Sequence, residues 1–498
     1  MTSKDKKETS KKQHKSFKEM LMFRQTQARK SILVKIPSLS SAFNVKMTCS
    51  YYGNVVNTVS YASKDMAFLL VEYSTENEII KLKETIRYQS REYLCAVTPL
   101  YSYKDLPQTV KLRGGQLQKS YACSAFVAPT EKEMVKKLEE TNSISEQMIL
   151  LYNVLKLPDF NIRLRFYTAE QISFYLSRLF TNISVLPFGS SVNGFGQLGC
   201  DLDLLCQIDR VKQSKSDSLS FLTQTLSLNE KNEKKVFLET IGTLMKVFVP
   251  GVTNMRKILE ARVPIIKFFN TYTNMQCDLS SSNVLASIMS QLLYTYAEFD
   301  WCVKPLVCTI RNWARNRSLT KDEPGQWITN FSLTLLIIFY LQTKYIVPCL
   351  GTLQDVARHN TSKLQAVNQQ PKNEILYQLL YGFFEYYSIF DFKTQAICIQ
   401  EGCPRQKKSY APLYIYNPLE STLNVSRNVT TIQLTQLIDN FRNGLHIMLS
   451  VKEEDILMCL LNLKKTPEMC NNTPSIQISQ KESLNQEMFT EQRNANIL

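Results

Sequence analysis

Phe188-Gly-Ser-Ser-Val-Asn-Gly-Phe-Gly-Gln-Leu-Gly-Cys-Asp-Leu-Asp-Leu-Leu-Cys206 decides the reading of this chain. A Gly189-Ser190 turn stands eleven residues ahead of Asp201, and one leucine separates Asp201 from Asp203. Residues two apart in a strand point to the same face, so the two carboxylates project together with Cα atoms roughly 7 Å apart. Gly189 lets backbone approach a phosphate closely, and Ser190 with the amides that follow can bind it. Such a turn beside paired carboxylates suits a nucleoside triphosphate and the divalent ions that activate it. Two ions about 4 Å apart need a third carboxylate. Asp278, in Gln276-Cys-Asp-Leu-Ser280, ends a later strand pattern and is the natural candidate. Magnesium is the expected ion, with manganese as the alternative, because carboxylate oxygens and phosphates are their ligands. An Asp-x-Asp pair alone is commonly a solvated pair; joined to the glycine turn and Asp278 it becomes specific. Without Gly-Lys-Ser/Thr the turn is no Walker loop, and Gly194-Phe-Gly196 is too short for a dinucleotide fingerprint.

Around this stretch the pattern is α+β. Val185–Phe188, Leu202–Ile208, Val263–Phe269 and Met275–Leu279 read as strands of one mixed sheet, a catalytic unit over 179–284. Glu131–Leu157 and Leu164–Leu179 read as amphipathic helices. With Leu285–Tyr296, Val303–Arg315, Thr329–Thr343, Leu376–Tyr387 and Thr431–Leu449 they make a helical lobe over 131–178 and 285–465. Ile32–Ile36, Val55–Tyr61, Ala67–Tyr73 and a helix at Glu76–Ile86 suggest a β-α-β-β-α domain over 31–128, similar to RNA-recognition modules. Ala67–Tyr73 is weakly like the strand that stacks bases in those modules, but Ile32–Ile36 has no aromatic, so packing or dimerisation explains the domain as well. Residues 1–30 read as a basic, partly disordered tail with a short helix at Lys18–Lys30. Residues 466–498 read as a second disordered tail.

Composition bounds the partners. At 498 residues, 44% hydrophobic and 21% charged, the chain is globular and long enough for several domains. A net charge of +15 favours a polyanion such as RNA. The 13 cysteines form no Cys-x-x-Cys pair, and the three histidines are scattered, so neither a disulfide framework nor a structural zinc is expected. Cys200, Cys206 and Cys277 read as small core residues. The longest apolar run, Phe331–Leu341, is too short to span a bilayer. The N-terminus carries Asp5 and Glu8 and is a poor match to an organelle transit peptide.

The chain resembles the DNA polymerase β-like nucleotidyltransferases. Within them it is similar to the non-templated RNA-tailing enzymes of the mitochondrial poly(A) polymerase family. The resemblance is carried by Pro187–Asp203, Lys257-Ile-Leu-Glu-Ala-Arg-Val-Pro264, Gln276–Ser280, Ile310-Arg-Asn-Trp-Ala-Arg315, Trp327-Ile-Thr-Asn-Phe-Ser-Leu-Thr334 and Pro412-Leu-Tyr-Ile-Tyr-Asn-Pro418, over about 180–430. It implies a palm domain with a helical lobe and two-metal catalysis by Asp201, Asp203 and Asp278. The activity implied is template-independent transfer of AMP from ATP to RNA 3′ ends. It also implies triphosphate binding by Arg311 and Arg315, which share a helix face, and base stacking on Phe331 with Asn330 beside it. A solvated basic helix face and a core phenylalanine are the plain alternatives for these residues. Trp313 and Trp327 read as core residues. Mitochondrial placement and a homodimer formed through 31–128 follow from the resemblance alone.

Two departures bear on specificity. UTP-adding relatives carry a histidine where Leu423 stands, which favours ATP. Met289 replaces a small polar residue near the ribose, leaving Asn283 or Ser290 to hold the sugar. The competing readings are a terminal uridylyltransferase or mixed-tail enzyme, a catalytically silent RNA-binding protein with the same fold, and a transferase acting on a small molecule. The N-terminal domain and the charge argue against the last.

Overall fold

Apolar alternation in three short runs builds the first sheet. The computed structural model describes residues 15–63, 65–89, 100–102, 129–141, 143–208, 230–281, 284–321, 323, 325–359 and 375–464. Residues 1–14, 465–498 and most of 90–128 lie outside these residues, so the tail expected over 466–498 and part of that expected over 1–30 do too. Strands β1 (Ser31–Ile36), β2 (Val55–Ser63), β3 (Met66–Tyr73) and β4 (Leu100–Ser102) form a sheet in the order β2-β3-β1-β4. β1 and β3 are antiparallel, with Ile32 opposite Val71, whereas β4 runs parallel to β1.

Alternation gives this sheet two apolar faces. Ile32, Val34, Ile36, Leu69, Val71 and Tyr73 pack under α2 (Ala42–Tyr52) and α3 (Glu76–Gln89). Leu33, Tyr61, Phe68 and Leu70 face the second sheet and share its core. The Tyr61 hydroxyl donates to the Tyr272 carbonyl at 2.8 Å and Ser63 Oγ to the Thr271 carbonyl at 2.8 Å. Phe68 stacks on Tyr61 and meets Tyr272 edge-on. Tyr61, Phe68 and Tyr73, the described aromatic side chains of this sheet, are therefore buried packing residues and present no ring for stacking a base.

The segment expected as a tail is in part a brace. Helix α1 (Phe17–Arg29) opens with a reciprocal Ser16–Glu19 capping box. It lays Phe17 and Ala28 against Phe166 and Val192 and pairs Arg24 with Asp159 at 2.7 Å.

The second sheet is mixed and five-stranded. β5 (Ile183–Phe188), β6 (Leu202–Ile208), β7 (Val252–Ile258), β8 (Ile265–Asn270) and β9 (Met275–Ser280) lie in the order β5-β6-β9-β8-β7, with β6 and β9 parallel and the other pairs antiparallel. β7 is an exposed edge strand rich in polar residues, so no alternation announces it.

Two expectations about the helices need correction. Glu131–Leu157 is two helices, α4 (Glu131–Glu139) and α5 (Ile144–Leu155). The break comes where Thr141 bonds back to the Leu138 carbonyl and Ser143 caps the second helix through the Glu146 amide. The helix expected with the helical lobe, α6 (Asp159–Leu176), belongs to the palm core. Its Leu164, Tyr167, Ala169, Ile172 and Leu176 are buried with Val185, Leu204 and Cys206.

The helical lobe surrounds α10 (Asn330–Thr343), whose residues Ser332–Gln342 are all buried. Against it pack α5 and the later helices α8 (Val284–Phe299), α9 (Val303–Asn316), α12 (Ile375–Ile389), α13 (Thr431–Ser450) and α14 (Glu453–Leu460). Two further helices, α7 (Glu230–Phe248) and α11 (Leu350–His359), carry no clear sequence signal. Among the described residues no helix is long and apolar enough to cross a membrane.

Candidate active site

Strand register brings the acids together. In the parallel β6–β9 pair Asp203 lies directly opposite Asp278, which puts their Cα atoms about 5 Å apart. Asp201 stands one residue before β6 and is exposed. Among the described residues no set of three or more acidic, Cys or His side chains is gathered in a ligating array. The structure thus presents a close carboxylate pair with the third acid at its lip.

The environment of the pair is strained electrostatically. Burial, then the charges of Asp278 and Asp201, push the Asp203 carboxyl up to about 7, while Arg165 and Lys267 pull it back. Asp278 Oδ2 accepts from Lys267 Nζ at 2.6 Å, whereas Oδ1 is buried with no hydrogen-bond partner. A bare buried carboxylate oxygen beside a second carboxylate is a donor set that a hard cation satisfies. The residues present therefore fit a divalent ion.

The glycine turn closes over the same pair. Gly189 follows β5 with φ +65°, and a Cβ there would lie 2.5 Å from Asp203 Oδ2. Only glycine accepts both the backbone angle and the contact. The Gly189 amide donates to Ser290 Oγ at 2.8 Å, and Ser290 in turn donates to the Ala286 carbonyl. Ser290 is 2% exposed and committed to the turn, so it is not a sugar ligand. Met289 is a core residue of the helical lobe, and Asn283 lies outside the described residues. Ser190 Oγ sits 3.3 Å from Cys200 Sγ. Cys206 and Cys277 are buried, as expected of small core residues, and Cys200 is half-buried.

Two cations support this arrangement, and the sequence reading passed over both. Arg165, 3% exposed on α6, donates to Ser191 Oγ and the Asp201 carbonyl at 2.9 Å and to the Cys200 carbonyl at 2.6 Å. It fastens the glycine turn to the start of the acidic strand. Lys267 lies opposite Asp278 on β8. Each had a local signal: a single arginine between Leu164 and Phe166, and a single lysine within Ile265-Ile-Lys-Phe-Phe269.

The helical lobe supplies the facing groups. Arg311 Nη1 donates to the Phe195 carbonyl at 3.0 Å, and burial lowers its pKa. It thereby points into the loop that joins the glycine turn to Asp201. Arg315, one turn on, is exposed. Asn330, exposed, begins α10 behind its Thr329 cap, and Phe331 is half-buried against the lobe's core. Trp313 is buried, but Trp327 is not a core residue. It is half-buried, donates to the Glu323 carbonyl and lies under Lys321 Nζ at 4.6 Å.

The loop that contains Leu423 is held to the start of α10. Asn417 Oδ1 accepts from the Leu419 and Glu420 amides, and the Asn417 amide closes on the Leu423 carbonyl. Asn428 Nδ2 donates to both the Gly325 and Trp327 carbonyls at 2.7 Å, and Ser332 Oγ reaches the Val425 carbonyl. These bonds make one unit of the two loops that border Asn330 and Phe331.

Comparison with known proteins gives concordant matches. Residues 144–298 match the family described as Poly(A) RNA polymerase, mitochondrial-like, central palm domain, and 376–424 match the Cid1 family poly A polymerase. The Poly(A) RNA polymerase, mitochondrial, of Drosophila melanogaster is 32% identical over 93% of this chain and 82% of its own length. The Mus musculus protein of that name is 33% identical over 87% and 77%. Among solved structures, mtPAP in complex with ATPγS superposes with a TM-score of 0.78 at 30% identity, covering 90% of this chain and 99% of that one. Its complex with UTP gives 0.79 at the same identity and coverage.

Proposed function

Because the chain belongs to the mitochondrial poly(A) RNA polymerase family, we propose that it is a template-independent adenylyltransferase that adds AMP from ATP to the 3′ ends of mitochondrial RNA. The observation that carries the reading is the register pairing of Asp203 with Asp278 beneath a glycine turn with no room for a side chain.

Each group has a task in that reaction. Asp203 and Asp278, with Asp201 at the lip, would hold magnesium or manganese. Bound there, such ions supply positive charge at the triphosphate and make the attacking hydroxyl more acidic. The turn at Gly189 and Ser190 offers the phosphates backbone amides and a hydroxyl. Arg311 and Arg315 meet them from α9 with forked donors. Phe331 and Asn330 take the base, and Leu423 offers no ring nitrogen to a uracil. The 3′ oxygen of RNA forms the new bond to the α-phosphorus, its proton leaves, and pyrophosphate departs. Two copies would associate through the β1–β4 domain.

Solved complexes of mtPAP carry ATPγS, UTP, GTP and CTP. Base preference in this chain is therefore expected in turnover more than in occupancy. The test incubates the full chain with a short RNA, magnesium and each nucleotide singly. Extension by ATP well above the others is expected. Faster extension by UTP would establish a uridylyltransferase, and RNA binding without any product would establish a silent relative.

A further inference from the structure

Lys267 is the one cation paired with Asp278 among the described residues. It stands opposite Asp278 across the β8–β9 ladder, while Asp203 stands opposite on the other side, so the acid is flanked by a cation and an acid at one level of the sheet. The lysine takes only Oδ2, at 2.6 Å; Oδ1 is buried and bare. The Lys267 side chain is 34% exposed and that of Asp278 17%. The ammonium thus reaches the pair from the solvent side, and the bare oxygen is turned inward.

We propose that Lys267 is a positioning residue that grips Asp278 by one oxygen, leaves the other as a single ligand for a divalent ion, and keeps that ion's affinity for the nucleotide-free enzyme low. The inference rests on the reading of Asp203 and Asp278 as metal ligands. Gripping one oxygen stops Asp278 from ligating through both, so the direction of its lone donor is set before an ion arrives. The three aspartates bring three negative charges and Lys267 returns one, which weakens the pull on a free cation. A nucleotide's triphosphate supplies the missing negative charge. The site then loads its ions together with the substrate and does not sequester them beforehand.

The experiment titrates nucleotide-free full-length protein with manganese chloride by calorimetry, comparing wild type, D203N, K267M and K267R. Wild type is expected to bind manganese more tightly than D203N. K267M is expected to bind it about tenfold more tightly than wild type, the size of one partly screened charge interaction. K267R keeps the charge and is expected to return to wild-type affinity. In chelator K267M should melt below wild type, because the acids lose their counter-charge, and manganese should close that gap. If K267M does not fold, K267Q carries the same comparison.

K267M binding manganese as weakly as wild type, or more weakly, overturns the lysine's role while leaving the metal site standing. A melting deficit that manganese does not repair overturns it too, reducing the contact to an ordinary structural ion pair. Wild type and D203N titrating alike would remove the metal site and this inference with it. Tailing activity, read separately in the nucleotide panel, tells that failure apart from loss of the adenylyltransferase reading.

Discussion

The two larger sheets among the described residues are both mixed and both flanked by helices, yet only one gathers charged side chains across neighbouring central strands. In the β1–β4 sheet the two core faces are built from apolar side chains, with Ser31, Ser60, Ser63 and Glu72 the buried polar residues among those described, and both faces are closed, one by α2 and α3 and the other by the palm. In the β5–β9 sheet the central strands β6, β9 and β8 place Asp203, Asp278 and Lys267 at one level. That level is covered by a turn which only glycine can form, not by a helix. The first sheet spends its strands on packing. The second holds like charges side by side at a cost in stability, which other parts of the fold must offset.

The sharpest way to test the contrast is to neutralise the second sheet. D203N should lower tailing by about 10³-fold or more, since the ions lose a ligand and each such ion lowers the barrier by several kcal/mol. The same substitution should leave the melting temperature in chelator at or above that of wild type, because it removes a carboxylate that burial and two like charges disfavour. A D203N protein that tails at wild-type rate would break the assignment, and one that melts far below wild type would break the contrast.

The first sheet should respond in the opposite way. Phe68 is fully buried between Tyr61 and Tyr272. F68A should cost about 3–5 kcal/mol of stability, the usual range for emptying an aromatic site. Tailing per folded molecule, measured at a temperature where the variant is native, should stay within about twofold of wild type, since the sheet holds no reacting group. A loss of RNA affinity at full folding would instead show that this face takes part in binding.

How much of this could be read from the chain differs between the same regions. Asp201, Asp203 and the glycine turn are local, so period-two alternation and one glycine suffice to place them. Asp278 needed a later strand to return beside β6, and the short polar-flanked run at Met275–Ser280 announced that strand. Lys267 and Arg165 each showed a charge between apolar neighbours, but their meaning lies in register and in the packing of α6, neither of which a window of sequence encodes. The helix expected at Lys18–Lys30 is found at Phe17–Arg29, whereas the edge strand β7 and the lysine-rich α7 escape the sequence for one cause. Their polar residues face water, so composition alone cannot separate them from loops. The clamp between the loops near Gly325 and Asn428 joins residues about a hundred positions apart and has no local signal.

That clamp gives a smaller effect. N428A removes two 2.7 Å bonds that hold the loop before α10 to the loop carrying Leu423. With each such bond worth about 1 kcal/mol, the KM for ATP should rise by up to about thirtyfold, with kcat changed less than about twofold. Steady-state tailing at varied ATP checks this. A fall in kcat with KM unchanged would mean that the clamp serves the reacting groups and not the base pocket.

The smallest effect returns to Asp203 and turns on proton linkage. Its carboxyl titrates near about 7 in the fold and near about 4 in an unfolded chain. Between those values the folded state keeps a proton that the unfolded state has released, so stability from this group falls as pH rises through the window and its cost is complete above it. In chelator, the melting temperature of D203N minus that of wild type should therefore be positive at pH 8 by about a degree or two, shrink as pH falls and vanish only below about pH 4. A divalent ion takes the proton's place, so added magnesium should raise the wild-type melting temperature more at pH 8 than at pH 6, and that of D203N less at either pH. A magnesium shift independent of pH would mean that the like charges are relieved elsewhere. The second sheet would then carry no more electrostatic cost than the first.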